Sequence, residues 1–166
     1  MDNFSMDILR AIDPEPPAPR KVRQSPADHY THAVMLERVA YLRKMAKHSD
    51  GSASETLKEY PQHFTMLLFR SRSGEAEVHE NHADLFFVLD GRATLVTGGT
   101  VAGARIVGPG ESRGDSIDGG ARQELRAGDV AHVPAGVPHQ MLLEADKTLS
   151  CFVLKVLENP SSVAAG

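Results

Sequence analysis

The chain has 166 residues, a length that suits a single domain. It carries 18 basic and 22 acidic side chains, for a formal net charge of −4, and no basic stripe of the kind that binds nucleic acid. No apolar run approaches the ~20 residues of a membrane span, and the N-terminus lacks the charged-then-apolar order of a signal peptide. These features exclude nucleic acid and membranes as partners and predict a cytoplasmic protein. The single cysteine, Cys151, lies in an apolar strand-like run, which predicts a buried core residue rather than a reactive thiol.

The N-terminal third has two parts of different character. Residues 1–24 contain four prolines in a short span and predict a flexible arm. Ser25 can cap a helix and Pro26 suits its first position, so an amphipathic helix is predicted over 26–48, within a helical extension assigned to 25–58. Its apolar side chains recur with helical spacing and predict one packed face: Met35, Val39, Leu42 and Ala46.

Short β-rich runs separated by Gly, Asp and Pro occupy the remainder of the chain. This spacing predicts an all-β sandwich or barrel over residues 59–158, followed by a flexible tail at 159–166. No long helical pattern interrupts the runs, which argues against a parallel α/β sheet. The Gly-rich segment Gly108–Gly120 is predicted to be a long loop with a functional role or no fixed structure.

Potential metal ligands concentrate in "AEVHENHADLFFVLDG", residues 76–91, just before an apolar run. Side chains two apart in a strand share a face, so Glu77 and His79 point the same way. Asp84 shares a face with Phe86 and Val88. In "GDVAHVPAGVPHQML", residues 128–142, a turn precedes a strand whose interior face is predicted to carry His139, Met141 and Leu143.

These two stretches resemble the two sequence motifs of the cupin superfamily. Gly128, Pro134, Gly136 and His139 reproduce the spacing G-x5-P-x-G-x2-H of the second motif. The resemblance covers roughly residues 60–157.

The first stretch is similar to the first cupin motif but differs in ligand type. Counting back from Gly91 aligns Glu77, His79 and Asp84 with positions where cupins usually have His, His and Glu. The run "VHENH" is also similar to quercetin-dioxygenase-like cupins, which can carry a further histidine at the position of His82. We assign His82 to a turn, beside the metal site rather than in it.

The resemblance implies a double-stranded β-helix, or jelly-roll barrel, whose motif residues converge on one metal ion. The implied ligands are His79, His139, Asp84 and Glu77, and Glu77 is also a candidate general base. A set containing carboxylates favours Fe(II) or Mn(II), with Zn(II) and Ni(II) as alternatives. The predicted substrate pocket comprises Phe86, Val88, Met141 and Leu143, with Arg113 over the mouth to pair with a substrate carboxylate.

Three functions remain open at this point. The first is a metal-dependent oxygenase that acts on a small organic substrate. The second is a metal-free isomerase, epimerase or cyclase in which His79 or His139 is the acid or base, because Asp84 is shorter than the usual glutamate. The third is a non-enzymatic module that binds or senses a small ligand. Exposed strand edges and the helix predict a homodimer.

Overall fold

The computed structural model describes residues 27–158. Within this range the chain forms one helix and twelve strands. The helix is α1 (His32–Ala46), and the strands are β1 (Ser52–Tyr60), β2 (His63–Arg70), β3 (Ala76–His79), β4 (His82–Thr97), β5 (Thr100–Ala102), β6 (Arg105–Gly108), β7 (Glu111–Gly114), β8 (Ser116–Asp118), β9 (Ala121–Arg126), β10 (Val130–Val133), β11 (His139–Leu142) and β12 (Leu149–Leu157). The predicted flexible segments 1–24 and 159–166 lie outside the described residues, as do the predicted cap Ser25 and Pro26.

The helix begins later than the sequence predicted. Thr31 is its N-cap, and the Thr31 hydroxyl accepts a hydrogen bond of 3.2 Å from the backbone amide of Val34. The predicted start at residue 26 is therefore wrong, because the helix begins at His32 and its cap is Thr31 rather than Ser25. The assignment of 25–58 to a helical extension also needs correction, since β1 begins at Ser52 and pairs with β2 along its length.

One face of α1 covers the outer surface of the sheet. Val39, Leu42 and Ala46 are buried and pack against Leu67 and Phe69 of β2. The predicted apolar stripe thus forms a second, smaller core between helix and sheet.

The strands form one curled antiparallel sheet of ten, with a separate pair made by β5 and β8. β4 is central to it. Its first half lies between β12 and β10, and its second half lies between β11 and β9. The predicted all-β barrel with an N-terminal helix is confirmed. Across residues 27–158, the only helix is too short and too polar to span a membrane.

Gly91 marks the point where β4 passes from one half of the barrel to the other. Its φ of 84° is in the left-handed region, which glycine adopts without steric cost. A side-chain carbon at this position would overlap the carbonyl oxygen of Thr148. That same oxygen accepts a hydrogen bond of 2.9 Å from the amide of Arg92, so it cannot easily withdraw.

The segment Gly108–Gly120 is largely ordered strand, not the long loop predicted from its glycines. It contains β7 and β8, and β7 pairs with both β3 and β6. As an ordered strand, β7 contributes two charged side chains to the site.

The interior below the site is a continuous apolar core. Cys151 is fully buried within it, and burial raises the pKa of its thiol to about 12. The prediction of a structural cysteine is confirmed.

The junction at Gly91 generates a stability prediction. Gly91→Ala should destabilise the fold by about 3 kcal/mol, because it adds both a left-handed alanine and a backbone overlap. Gly98→Ala is the matched control: Gly98 has a similar φ of 73° but open space around the missing side chain. It should cost only about 1 kcal/mol. Chemical unfolding of both variants measures the difference, and equal losses would contradict a special role for Gly91.

Candidate metal site

The antiparallel register of three neighbouring strands brings one wall of the site together. His139 on β11 lies directly opposite Glu77 on β3, and Glu77 lies opposite Arg113 on β7. His79, two residues along β3 on the same face, lies opposite Glu111. Directly opposed residues in such pairs have neighbouring side chains, so the register itself groups these charges.

A second wall faces the first from the other half of the barrel. Asp84 on β4 lies directly opposite Lys155 on β12. Asp84 is only 2% exposed, although it is a carboxylate. Both histidines reach it across the barrel, since the Nε2 atoms of His79 and His139 each lie 3.4 Å from Asp84 Oδ2.

Glu77 completes a cluster of four potential ligand atoms. Its Oε2 atom lies 3.3 Å from His79 Nε2 and 3.8 Å from His139 Nε2. Metal–ligand bonds of about 2.1 Å place adjacent ligand atoms roughly 3.0–3.4 Å apart. The distance between Glu77 and His79 falls in this range, and the ligand atoms of Glu77, His79 and His139 all lie within 4.8 Å of one another, so this group is a candidate to hold one ion after small side-chain shifts. Asp84 adjoins this group.

The hydrogen bonds of both histidines at Nδ1 direct Nε2 into the cluster. His139 Nδ1 donates to the carbonyl oxygen of Val137 over 3.2 Å, which fixes its proton on Nδ1. His79 Nδ1 donates to Glu111 Oε2 over 2.5 Å. Carboxylates and carbonyls orient metal-binding histidines in this way. His139 Nε2 is buried and has no hydrogen-bond partner among the described residues, so the donor set fits a divalent metal ion.

Two arginines hold Glu77 in its ionised form. Arg113 donates a hydrogen bond to Glu77 Oε1, and Arg70 Nη2 lies 3.5 Å from the same oxygen. Burial raises the pKa of Glu77, but hydrogen bonding to His79 and the charges of Arg113, His139 and Arg70 outweigh it and lower the pKa to about 2. Glu77 is therefore a poor base near neutral pH and a well-prepared anionic ligand.

Lys155 lies at the centre of the same cluster. Its Nζ atom is 2.7 Å and 3.0 Å from the two Asp84 oxygens and 2.9 Å from His79 Nε2. Burial raises the pKa of Asp84, but the neighbouring imidazoles of His139 and His79 and the charge of Lys155 hold it well below its ordinary value.

The contact between Lys155 and His79 joins two nitrogens that cannot both donate. Burial lowers the pKa of His79, but hydrogen bonds to Asp84 and Glu77 raise it overall to about 9. The carboxylates of Asp84 and Glu77 lie close enough to balance the positive charge at this contact.

A cavity of about 740 Å³ opens from these residues, a size suited to a small ligand. Of the predicted pocket residues, Phe86, Met141 and Arg113 line it. Val88 and Leu143 do not and are corrected to core positions. Val88 has the predicted parity but lies deeper, opposite Cys151, whereas Leu143 follows the end of β11.

Two further histidines lie near the site or on the opposite surface, and His82 is in a strand rather than in the predicted turn. His82 begins β4, lines the cavity and contacts the ring of Phe64 edge-on. His132 is on β10 with half its side chain exposed, 3.9 Å from Glu158.

Sequence reasoning missed Lys155, Glu111 and Arg70. The sequence contained a signal for Lys155, because this charged residue continues the face of Cys151 and Val153 in an otherwise apolar strand. Arg70 likewise continues the alternation of Met66 and Leu68, which line the cavity. No sequence signal pointed to Glu111, since its position depends on the pairing of β7 with β3.

Neither a protein-family model nor a protein of curated function matches this sequence. Solved structures do match its fold. The protein TT1209 from Thermus thermophilus is 17% identical with a TM-score of 0.50, covering 75% of this chain and 95% of that one. A Klebsiella pneumoniae protein with a double-stranded β-helix domain is 17% identical with a TM-score of 0.49, covering 67% and 82%. The cupin domain of Schizosaccharomyces pombe Cnp3 is 12% identical with a TM-score of 0.47, covering 64% and 61%. At these identities the likeness concerns the fold alone, a double-stranded β-helix.

The lowered pKa of Glu77 generates a prediction for metal-free protein. A carboxylate with a depressed pKa stabilises the fold above its ordinary pKa of 4.5, and this contribution is lost as pH falls through about 2. The shift corresponds to roughly 3 kcal/mol. Glu77→Gln should therefore be less stable at pH 7 by a similar amount but lose less stability between pH 4.5 and 2.

Glu75→Gln is the control for this experiment, because Glu75 forms a half-exposed ion pair with Arg105. Exposed pairs contribute little, so this variant should follow the wild type. Chemical unfolding at a series of pH values measures all three proteins. Parallel curves for wild type and Glu77→Gln would contradict the assigned role of Glu77.

Proposed function

We propose that this protein is an enzyme with a mononuclear divalent metal centre, of the oxygenase class, that acts on a small organic molecule. The observation that supports the proposal is the buried convergence of Glu77, His79 and His139 at one end of the cavity. Two imidazoles and one carboxylate form the ligand set that non-haem Fe(II) oxygenases use. Fe(II) or Mn(II) is the proposed ion, with Zn(II) and Ni(II) as alternatives.

The chain's own residues prepare the site for this chemistry. Glu77 enters as an ionised ligand because Arg113 and Arg70 neutralise its charge. Glu111 and the Val137 carbonyl fix the two imidazoles with Nε2 directed inward. A bound divalent ion would supply Lewis-acid and one-electron redox chemistry to a substrate in the cavity.

The cavity wall indicates the character of the substrate. Part of the lining is apolar, with Phe64, Met66 and Phe86 among its residues. The adjoining strand β1 adds hydroxyl groups to the lining, contributed by Ser52, Ser54 and Thr56. An amphipathic molecule with an aromatic or apolar body and one or two polar groups matches both surfaces.

The second candidate is a metal-free isomerase, epimerase or cyclase. The contact between Lys155 Nζ and His79 Nε2 favours it, because it places two groups that can donate or accept a proton side by side at the cavity. In this case the ammonium of Lys155 takes over charge stabilisation from a metal ion.

Metal content separates the two candidates. Protein purified without an affinity tag and loaded anaerobically with Fe(II) or Mn(II) should hold about one ion per chain. His79→Ala and His139→Ala should each fall below about 0.1 ion per chain, because each removes a buried ligand. His132→Ala is the control, since His132 lies on the exposed face of β10. Elemental analysis gives the result, and a wild type below about 0.1 ion would rule out the metal enzyme.

Oxygen uptake tests the reaction class. Fe(II)-loaded wild type should consume oxygen with at least one member of a panel of small aromatic diols and hydroxy acids, and His139→Ala should lose this by about 100-fold or more. His132→Ala should retain it. A metal-loaded protein that converts a panel member equally well without oxygen would contradict an oxygenase and leave the metal site standing.

A further inference from the structure

We infer that Lys155 is a resident cation that competes with the divalent metal for His79 and Asp84. The inference deepens the proposed function, because it concerns how the same site is held together before a metal ion enters it. It rests on three contacts of one nitrogen atom, Lys155 Nζ, with the side chains that also form the ligand cluster.

His79 has one ring nitrogen available to a metal ion. Its Nδ1 atom is committed to Glu111, so Nε2 is the only ring atom that can bind a metal ion. Lys155 Nζ lies 2.9 Å from that atom and occupies the position from which a metal ion would bind it. A lone pair serves one partner at a time, so lysine and metal exclude each other at His79.

Asp84 contacts the same ammonium group. Both of its oxygens lie within 3.0 Å of the ammonium. Asp84 is 2% exposed, and an unpaired buried carboxylate is strongly destabilising. The barrel therefore needs a cation beside Asp84, and either Lys155 or a divalent ion can meet that need.

The side chain of Lys155 can withdraw from the cluster while its strand stays in place. Its backbone is fixed between β2 and β4, where Lys155 pairs with Phe64 and Asp84. Its side chain borders the cavity and is 16% exposed. A lysine has a flexible four-carbon stem, so the ammonium can turn into the cavity while the strand remains in place.

The experiment compares Mn(II) affinity in wild type and Lys155→Met. Methionine keeps most of the apolar length and removes the charge. Lys155→Met should bind Mn(II) at least about tenfold more tightly, because a divalent ion no longer has to displace the ammonium. Its metal-free form should melt at a lower temperature than wild type, and Mn(II) should raise that temperature by more. Competition titration and thermal unfolding supply readouts that do not depend on activity.

Two further variants keep the test decisive. Lys44→Met is the matched control: it removes the same charge from the exposed last turn of α1 and should bind Mn(II) as wild type does. Asp84→Asn and the double variant Asp84→Asn/Lys155→Met repeat the comparison without the buried negative charge. This pair covers the case in which Lys155→Met does not fold, and loss of the lysine should again strengthen Mn(II) binding.

The outcomes separate the inference from the proposed function. If wild type binds Mn(II) and loss of Lys155 leaves the affinity unchanged or weaker in both backgrounds, the inference is wrong and the metal enzyme stands. If only proteins lacking Lys155 bind Mn(II), the inference holds and the metal enzyme is wrong for the natural chain. If no variant binds Mn(II), both are wrong.

Discussion

The register of β4 with its neighbours is the constraint on which the site depends. One uninterrupted strand of 16 residues pairs with β12 and β10 before Gly91 and with β11 and β9 after it. The first half positions Asp84 opposite Lys155, and the second half positions the strand that carries His139. A shift of one residue in either half would turn these side chains to the opposite face of the sheet. Gly91 therefore joins the half of β4 that carries Asp84 to the half that pairs with the His139 strand.

Charge balance is the second condition that the site must meet. Three carboxylates, Glu77, Asp84 and Glu111, lie beside two histidines in the barrel, and each has a cationic or imidazole partner. An isolated buried charge would cost several kcal/mol, so none of these groups is independent of the others. This coupling explains why the site can be preassembled from side chains alone, before any ligand enters.

Strand alternation and motif spacing anticipated part of this arrangement from the sequence. Alternation put Glu77 and His79 on one face, and the second motif singled out His139 about sixty residues further along. Both signals are local, since each depends only on neighbours within one strand or turn. Glu111 and Lys155 reach the site through pairing between strands that are distant in sequence, and no single-strand pattern encodes that pairing. The same limit explains Val88, whose face was predicted correctly but whose depth depends on its register with β12.

The predictions for the helix boundary and for the Gly-rich segment were wrong for a different physical reason. Pro26 and its neighbours satisfy the rules for a helix start, yet Thr31 provides a cap closer to the residues that pack on β2. In the Gly108–Gly120 segment, glycine was taken as a sign of a loop. The structure instead uses Gly114 where β7 passes close to Ala102, a position with no room for a side chain. Glycine there permits close packing of strands, which in turn lets β7 deliver Glu111 and Arg113 to β3. The residues that most resembled a loop in sequence are thus the ones that allow the second layer of the site to approach the first.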